Sequence, residues 1–222
     1  MITVLSDTHG TDDHRLEGRT LAAVRTADLV LHAGDFTTAA VLDAFVAETG
    51  SGRERTNGRE TEPADSAGVG DGMEDGDGVG NGEGRGRRER ERRRHRDDEK
   101  RFVAVAGNND DAAVRERLDE TGVVEGGGVR FLVVHGHRHD ATALSLLGRQ
   151  EDADVVVAGH SHRPEWDPSG AVVVLHPGSH ADPRWHRPAH AELEPTTEGL
   201  SGRLVTPGGE VLEAFEFATG RV

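Results

Sequence analysis

The sequence predicts an α/β fold, a sheet with helices packed on its faces. Short apolar runs alternate with helix-like segments over most of the chain, and this rhythm is typical of βαβα units. Hydrophobic residues make up 34% of the 222 residues, and glycine contributes another 30 residues, a balance that is ordinary for a globular chain. Outside one low-complexity stretch, enough residues remain to build one well-buried core.

The first part of the chain predicts three strands, each followed by a helix. Ile2–Leu5, Asp28–His32 and Phe102–Ala106 are mostly apolar runs, and short runs of this kind predict buried strands. The helices after them are predicted at Leu16–Thr26, Ala39–Glu48 and Asp111–Leu118.

The second part of the chain continues this rhythm and then changes. Strands are predicted at Val129–Val134, Val155–Ala158 and Ala171–Leu175, with a helix near Ala141–Leu147. Further strands are predicted at Ala189–Leu193, Gly202–Thr206 and Val211–Phe217. A Pro-Gly-Gly turn joins the last two, so the chain is expected to end in antiparallel β structure, which could form a second sheet packed on the first.

A low-complexity insertion interrupts the predicted domain, which otherwise spans 1–222 as a single unit. Residues 49–101 contain five members of the apolar set, with mainly glycine and acid from residue 65 to 84 and mainly arginine with interspersed acids from 85 to 101. Such a segment cannot bury enough apolar surface to offset its chain entropy, so it is predicted to be a disordered surface insertion. The arginine run 87–94 also allows contact with RNA or an acidic partner, but the carboxylates within it favour a solvated segment.

The charge of the chain argues against two classes of partner. The net charge is −15, and the insertion is nearly neutral, so the acidic excess lies in the globular part. Nucleic acids and anionic membranes both attract a positive field, so the sequence argues against either as a partner. Lys100 is the only lysine among 26 basic residues. This pattern is typical of a halophilic protein kept soluble by carboxylates, although a GC-rich genome gives the same bias.

The absence of cysteine limits the chemistry of the chain. It excludes disulfides, thiolate metal sites and cysteine nucleophiles, so any metal would be held by His, Asp, Glu or Asn. The chain opens on a strand-like run with no charged leader, and no apolar segment approaches 18 residues. We therefore expect a cytoplasmic protein with no membrane-spanning segment.

Polar residues follow five of the predicted strands, at the point where each strand ends. These segments are Ser6–Gly10, Ala33–Asp35, Gly107–Asp110, His135–His137 and Gly159–His162. In an open α/β sheet the carboxyl ends of the strands converge on one crevice, where ligands bind. A single motif of this type is weak evidence, but five in order predict a shared site.

The residue types in these segments suit a metal centre. A cluster of Asp, His and Asn without Cys is typical of sites for Mn²⁺, Fe²⁺, Zn²⁺ or Ni²⁺. The spacing of Asp7 and His9, like that of His160 and His162, points both members of a pair to one side where the backbone is extended. Asp35 follows a glycine and is placed to bridge two cations, and two cations about 3.5–4 Å apart are the usual arrangement for attack on phosphorus.

The five motifs together resemble those of the calcineurin-like metallophosphoesterase superfamily. The small size, the GNxD form of Gly107–Asp110 and the segment Pro177–Ser179 are similar to its compact YfcE-like phosphodiesterase branch. The resemblance covers residues 1–48 and 102–222. It implies a four-layer αββα sandwich of two mixed sheets flanked by helices.

The resemblance also implies a ligand set for two divalent metal ions. Asp7, His9 and His162 would hold one ion, Asn108, His135 and His160 would hold the other, and Asp35 would bridge them. Mn²⁺ is the expected metal, with Ni²⁺, Fe²⁺ and Zn²⁺ as alternatives.

The reaction implied is hydrolysis of a small phosphate ester by a hydroxide activated between two divalent metals. Asn109 stands where the larger phosphatases of the family have a histidine that protonates the leaving oxygen, which favours phosphodiesters. Asn108 and His137 are the catalytic candidates, and His137 would either supply a proton or orient the site.

Two other functions stay open: a phosphomonoesterase acting on a nucleotide or sugar phosphate, and a non-catalytic protein-binding scaffold like one eukaryotic retromer subunit. A homo-oligomer is also left open. Four histidines outside the motifs are expected to be solvated. They are His139, His180, His186 and His190.

Overall fold

The computed structural model of the chain describes residues 1–50 and 100–219. The strands of these residues are β1 (Ile2–Leu5), β2 (Leu29–His32), β3 (Arg101–Ala104), β4 (Thr121–Gly126), β5 (Val129–Val134), β6 (Val155–Ala158), β7 (Pro164–Asp167), β8 (Val173–Pro177), β9 (His190–Pro195), β10 (Gly199–Val205) and β11 (Val211–Ala218). The helices are α1 (Gly18–Thr26), α2 (Ala39–Thr49), α3 (Ala112–Arg117) and α4 (Ala141–Gln150).

The strands form two mixed sheets. The first has the order β11-β10-β9-β1-β2-β3, in which β1, β2 and β3 are parallel and the other neighbours are antiparallel. The second has the order β4-β5-β6-β8-β7, parallel in the middle and antiparallel at both edges. Parallel neighbours need crossover connections, and α1 and α4 supply two of them.

The main core lies between the two sheets. It contains Val4 and Leu31 from the first sheet and Phe131 and Val157 from the second, all fully buried. On the outer faces, α1, α2 and α3 cover the first sheet and α4 covers the second. The central strands are therefore covered on both faces, which explains why their sequences are almost continuously apolar. The predicted four-layer αββα sandwich is confirmed.

Side-chain caps fix the starts of three helices. Thr38, Asp111 and Asp140 each accept a hydrogen bond from the backbone N–H three residues later, which satisfies one of the free donors at a helix start. The C-terminal end of α2 is closed by Gly50 at a φ of 64°, a left-handed conformation that glycine adopts without strain.

Two features of the sheets differ from the sequence-based expectation. The strands β4 and β7 were not predicted, because both are edge strands with glycine, proline and acidic residues in place of an apolar run. The expectation that the C-terminal strands form a second sheet is wrong, since β9, β10 and β11 extend the first sheet beside β1. The second sheet comes from the middle of the chain.

The bounds of the predicted insertion belong to regular elements. Thr49 ends α2, where its buried hydroxyl donates to the Phe45 carbonyl at 2.9 Å. Arg101 begins β3 and pairs in register with Leu29. Residues 51–99, and with them the prediction of disorder, lie outside the described residues. Among the helices of residues 1–50 and 100–219, none has the length and apolarity to span a bilayer.

Candidate metal centre

The loops that follow β1 and β2 run side by side at the carboxyl end of the first sheet. The N–H of Asp7 donates to the Gly34 carbonyl at 2.9 Å, and the N–H of His9 donates to the Asp35 carbonyl at 3.1 Å. These two bonds hold the loops in register beyond the ends of the strands. They bring the side chains of Asp7, His9 and Asp35 to the same place.

Five of the seven predicted ligand residues have a left-handed backbone. The φ values lie between 48° and 67° for Asp7, His9, Asp35, His160 and His162. This conformation is uncommon outside glycine and costs about 1–3 kcal/mol per residue, so it persists where the surrounding structure holds a side chain in one position. The expectation that an extended backbone aligns each Asp-x-His or His-x-His pair is therefore wrong, because tight turns orient these side chains.

The first group of converging donor atoms comes from Asp7, His9 and His162. The Nε2 of His162 lies 3.4 Å from Asp7 Oδ1 and 3.3 Å from His9 Nε2. The Nδ1 of His162 donates to the Asp182 carbonyl. Because Nδ1 carries the proton in the neutral ring, Nε2 is left with a lone pair that faces the carboxylate and can bind a cation.

The second group comes from Asp7, Asp35 and His135. The Nε2 of His135 lies 3.2 Å from Asp35 Oδ2, while its Nδ1 donates to the Ala33 carbonyl at 2.8 Å. Asp7 is shared by both groups, and Asp35 Oδ2 also lies 3.5 Å from His9 Nε2. The two carboxylates therefore lie among histidines that come from both sheets.

The other predicted site residues lie around these two groups. The Oδ1 of Asn108 is 3.0 Å from His135 Nε2. His160 is exposed, and its ring centroid lies 5.3 Å from that of His135 and 6.2 Å from that of His137. Its backbone N–H donates to Asp7 Oδ2 at 2.9 Å. The structure thus brings all the predicted residues together, with the ring of His160 at the rim.

The two carboxylates differ in their electrostatics. Burial raises the pKa of Asp7 to about 7, so a full charge on this carboxylate is unfavourable without a nearby cation. Burial also acts to raise the pKa of Asp35, but hydrogen bonds and charge from His135, and the N–H groups of Asn109, hold that pKa well below its ordinary range. Burial acts to lower the pKa of His135, but the charges of Asp35 and Asp7 raise it.

This set of donors fits divalent cations. Carboxylate oxygens, an amide oxygen and imidazole nitrogens suit hard and borderline ions. The rings of His135 and His162 are oriented by backbone carbonyls through their Nδ1 atoms, which is the support that metal-binding histidines usually have. The Nε2 atoms of His9 and His162 lie 3.3 Å apart, and a bound cation would use both as ligands.

The third motif holds Asp35 in place. The backbone N–H of Asn109 donates to Asp35 Oδ1 at 2.8 Å, and its side-chain amide donates to Asp35 Oδ2 at 2.7 Å. A Cβ atom at Gly107 would lie 2.1 Å from Asp35 Oδ1, so the chain can pass this close to the carboxylate only with glycine there.

Asp110 supports the same region, a role that the sequence did not indicate. It is buried and accepts the backbone N–H groups of Gly107 at 2.7 Å, Thr37 at 2.7 Å and Asp35 at 3.2 Å. The fourth position of the GNxD motif is thus explained, because this carboxylate joins the loops after β2 and β3.

Ser179 and Asp182 connect the loop after β8 to the site. The hydroxyl of Ser179 donates to the Asp7 carbonyl at 2.7 Å and accepts the N–H of Asp182 at 2.8 Å. Asp182 in turn presents its carbonyl to His162. Asp182 could not be predicted from the sequence, because a backbone carbonyl leaves no signal in the choice of residue.

Two histidines that were expected to be solvated are buried. The Nε2 of His180 donates to the His14 carbonyl at 3.1 Å. His190 is fully buried, with Nδ1 3.1 Å from Thr20 Oγ1 and Nε2 3.1 Å from Glu192 Oε1. The expectation is wrong for these two because their polar partners lie far away in the sequence.

A family comparison agrees with this geometry. The sequence profile of the calcineurin-like phosphoesterase superfamily domain matches residues 89–198, which include the motif segments after β3, β5 and β6. Residues 89–198 of this chain thus belong to the calcineurin-like phosphoesterase superfamily. The superfamily resemblance seen in the motifs is thereby confirmed.

Two curated proteins match part of this chain. A "Probable metallophosphoesterase" of Methanocaldococcus jannaschii is 34% identical over 91 residues, which cover 39% of this chain and 45% of the relative. One of the same description from Methanothermobacter thermautotrophicus is 32% identical over 91 residues, covering 40% of this chain and 53% of the relative. The matched part thus spans about half the length of these relatives.

Solved structures share the superfamily fold. A predicted phosphoesterase of Streptococcus pneumoniae aligns over 98% of this chain and 97% of its own, with 21% identity and a TM-score of 0.56. Zinc-bound Vps29 of Entamoeba histolytica aligns over 98% of each chain, with 19% identity and a TM-score of 0.56. The phosphoesterase YfcE of E. coli aligns over 96% of this chain and 97% of its own, with 14% identity and a TM-score of 0.51.

Proposed function

We propose that this protein is a phosphodiesterase that hydrolyses small phosphate diesters with two divalent metal ions, Mn²⁺ being the proposed metal. The observation that carries the proposal is the pair of donor groups that share Asp7, with Asp35 Oδ2 at 3.5 Å from His9 Nε2 and 3.2 Å from His135 Nε2. The proposed ligands are Asp7, His9, Asp35, Asn108, His135, His160 and His162.

The residues of the site are held in position by the protein itself, without substrate. Strained turns and hydrogen bonds fix both carboxylates, and backbone carbonyls fix the rings of His135 and His162. When bound, two divalent ions would lower the pKa of water and neutralise charge on the phosphate oxygens. Because the donors are held beforehand, little conformational entropy is lost as the site assembles around the ester.

The preference for diesters is supported by Asn109. Its backbone N–H and its side-chain amide both donate to Asp35, at 2.8 and 2.7 Å, and an amide does not donate a proton as an acid does. This position therefore supplies no general acid for the leaving oxygen. A diester with an activated leaving group depends less on such an acid than a monoester with a poor one.

His137 is proposed to contact the ester. Its ring centroid lies 5.5 Å from that of His135, and its Nδ1 is buried with no hydrogen-bond partner in the described part of the chain. A phosphate ester bound at the donor groups would bring oxygen atoms to this side of the site. The unpartnered nitrogen supports the proposal that His137 forms a hydrogen bond with the substrate.

The test compares a diester with a monoester. Chelator-treated protein should lose hydrolysis of bis(4-nitrophenyl) phosphate, and added Mn²⁺ should restore it with a kcat/KM at least about tenfold higher than for 4-nitrophenyl phosphate. A preference for the monoester would favour a phosphomonoesterase. No metal-restored hydrolysis of either ester would contradict the proposal and favour a protein-binding scaffold.

A further inference from the structure

A cavity of about 310 Å³ opens beside the candidate metal centre. Its lining includes Asn108 and His137, which also belong to the proposed site, together with Ala106 and Leu118. Both of these apolar residues are buried. The volume is at the lower end of that of small-molecule pockets, which is about 300–1,000 Å³. A small organic group therefore fits here next to the reacting ester.

Arg115 gives the cavity a positive charge that is held in place. The guanidinium Nη2 donates to the Asn108 carbonyl at 2.7 Å. Within residues 1–50 and 100–219, its Nε and Nη1 have no protein acceptor. A guanidinium with one edge fixed and other N–H groups free is suited to bind a carboxylate or a phosphate.

Arg138 and Glu120 add one charge of each sign to the lining. The Nη1 of Arg138 lies 3.1 Å from both carboxylate oxygens of Glu120, and both side chains are mostly exposed. The positive charge of Arg138 is thus largely balanced. Arg115 has no carboxylate partner within residues 1–50 and 100–219, in a chain whose net charge is −15.

We propose that this cavity binds one organic arm of the phosphate ester, and that this arm carries a second anionic group held by Arg115. The proposal rests on the proposed function, since it assigns the class of substrate to the same site. The phosphate that is hydrolysed would lie at the metal centre. The second anionic group, a carboxylate or a phosphate, would lie against the free guanidinium donors of Arg115. Ala106 and Leu118 would contact the carbon atoms between them.

Binding without metal tests the proposal directly. Full-length protein in chelator is titrated with glycerol 3-phosphate and, as the uncharged reference, with glycerol, and binding is followed by calorimetry and NMR. We expect Arg115→Gln to weaken glycerol 3-phosphate binding about tenfold, the effect of losing one charge-assisted hydrogen bond. Arg149→Gln, the same change on α4 outside the cavity lining, should bind within twofold of wild type. No detectable binding to wild type, or equal binding to all three proteins, would overturn the proposal.

Two further measurements complete the test. One identifies which type of anion Arg115 binds, and the other distinguishes failure of the cavity assignment from failure of the proposed function. Repeating the titration with glycerate shows whether the site prefers a carboxylate or a phosphate. Tighter binding of either ligand to wild type than to Arg115→Gln supports the proposal. Hydrolysis of bis(4-nitrophenyl) phosphate by wild type and by Arg149→Gln reports on the proposed function separately. Hydrolysis without an Arg115-dependent binding difference overturns the cavity assignment alone. A binding difference without hydrolysis leaves an anion site but overturns its assignment to an ester arm.

Discussion

His9 and His162 face each other through their Nε2 atoms at 3.3 Å, although 153 residues separate them in the chain. Their rings are stacked, with centroids 5.0 Å apart and an interplanar angle of 15°. Burial lowers the pKa of both imidazoles, so both are neutral at pH 7 and offer nitrogen lone pairs. Two neutral imidazoles held in this way beside Asp7 are suited to share a bound cation.

Replacing Asp7 with asparagine should stabilise the metal-free protein. Burial raises the pKa of Asp7 from 3.8 to about 7 in the folded chain. Between these two values the folded state binds more protons than the unfolded state, so the free energy of unfolding falls as the pH rises from about 4 to about 7. At pH 8 the charged carboxylate costs on the order of 4 kcal/mol, which Asp7→Asn avoids.

Urea unfolding of chelator-treated protein measures this effect. The stabilisation by Asp7→Asn should be larger at pH 8 than at pH 5, where nearly all of Asp7 in the folded chain is already protonated. Asp43→Asn, the same change on an exposed side chain of α2, should shift stability by less than about 1 kcal/mol at both pH values. If Asp7→Asn is less stable than wild type at pH 8, the buried charge of Asp7 does not destabilise the metal-free protein.

Asp35→Asn should remove most of the metal-restored activity without unfolding the protein. The carboxylate lies within 3.5 Å of histidine nitrogens from both donor groups, and an amide cannot supply its charge. We expect kcat/KM for bis(4-nitrophenyl) phosphate to fall at least about a hundredfold, with an unchanged circular dichroism spectrum. Asp43→Asn is again the matched control, and full activity of Asp35→Asn would refute a bridging role.

Glu192→Gln should destabilise the fold without acting at the site. The buried carboxylate accepts hydrogen bonds from Arg19 of α1 at 2.5 and 2.7 Å and from Arg203 of β10 at 2.9 and 2.7 Å. Neutralising it would leave both guanidinium groups without their partner, at a cost of about 2–3 kcal/mol in the free energy of unfolding. Urea denaturation at pH 7 checks this, with the exposed Glu194→Gln expected to change stability by less than about 1 kcal/mol.

Replacing residues 51–99 with a Gly-Ser linker of about ten residues should leave the activity intact. The pairing of β2 with β3 is made by residues on either side of this stretch, and the cost of loop closure changes only slowly with loop length. Hydrolysis of the diester should stay within twofold of wild type. A large fall in melting temperature or activity would show that the segment contributes to the fold or to the site.

Much of the fold and the set of site residues could be predicted from the sequence. The strands β1, β2 and β6 are short apolar runs, because they are covered on both faces. Asp7, Asp35 and the residues of the other motifs follow such runs directly, and the ends of parallel strands bring them together. These signals are local, and each can be seen within about ten residues of the chain.

The remaining features depend on contacts between distant parts of the chain. The left-handed turns at His9 and His162 are stabilised by loops from both sheets, so the alternation of residues gave the wrong geometry. The burial of His190 depends on Thr20, which is 170 residues away. The role of Asp182 uses a backbone carbonyl, which any residue would supply. No local pattern contains such information.

Metal stoichiometry tests the paired centre most directly. Chelator-treated protein titrated with Mn²⁺ in a calorimeter, and analysed for metal content after dialysis, should bind two ions per chain. Asp7→Asn should bind less than one, because this carboxylate belongs to both donor groups. Wild-type protein that takes up no Mn²⁺, or an Asp7→Asn variant that still binds two ions, would contradict a centre built around Asp7.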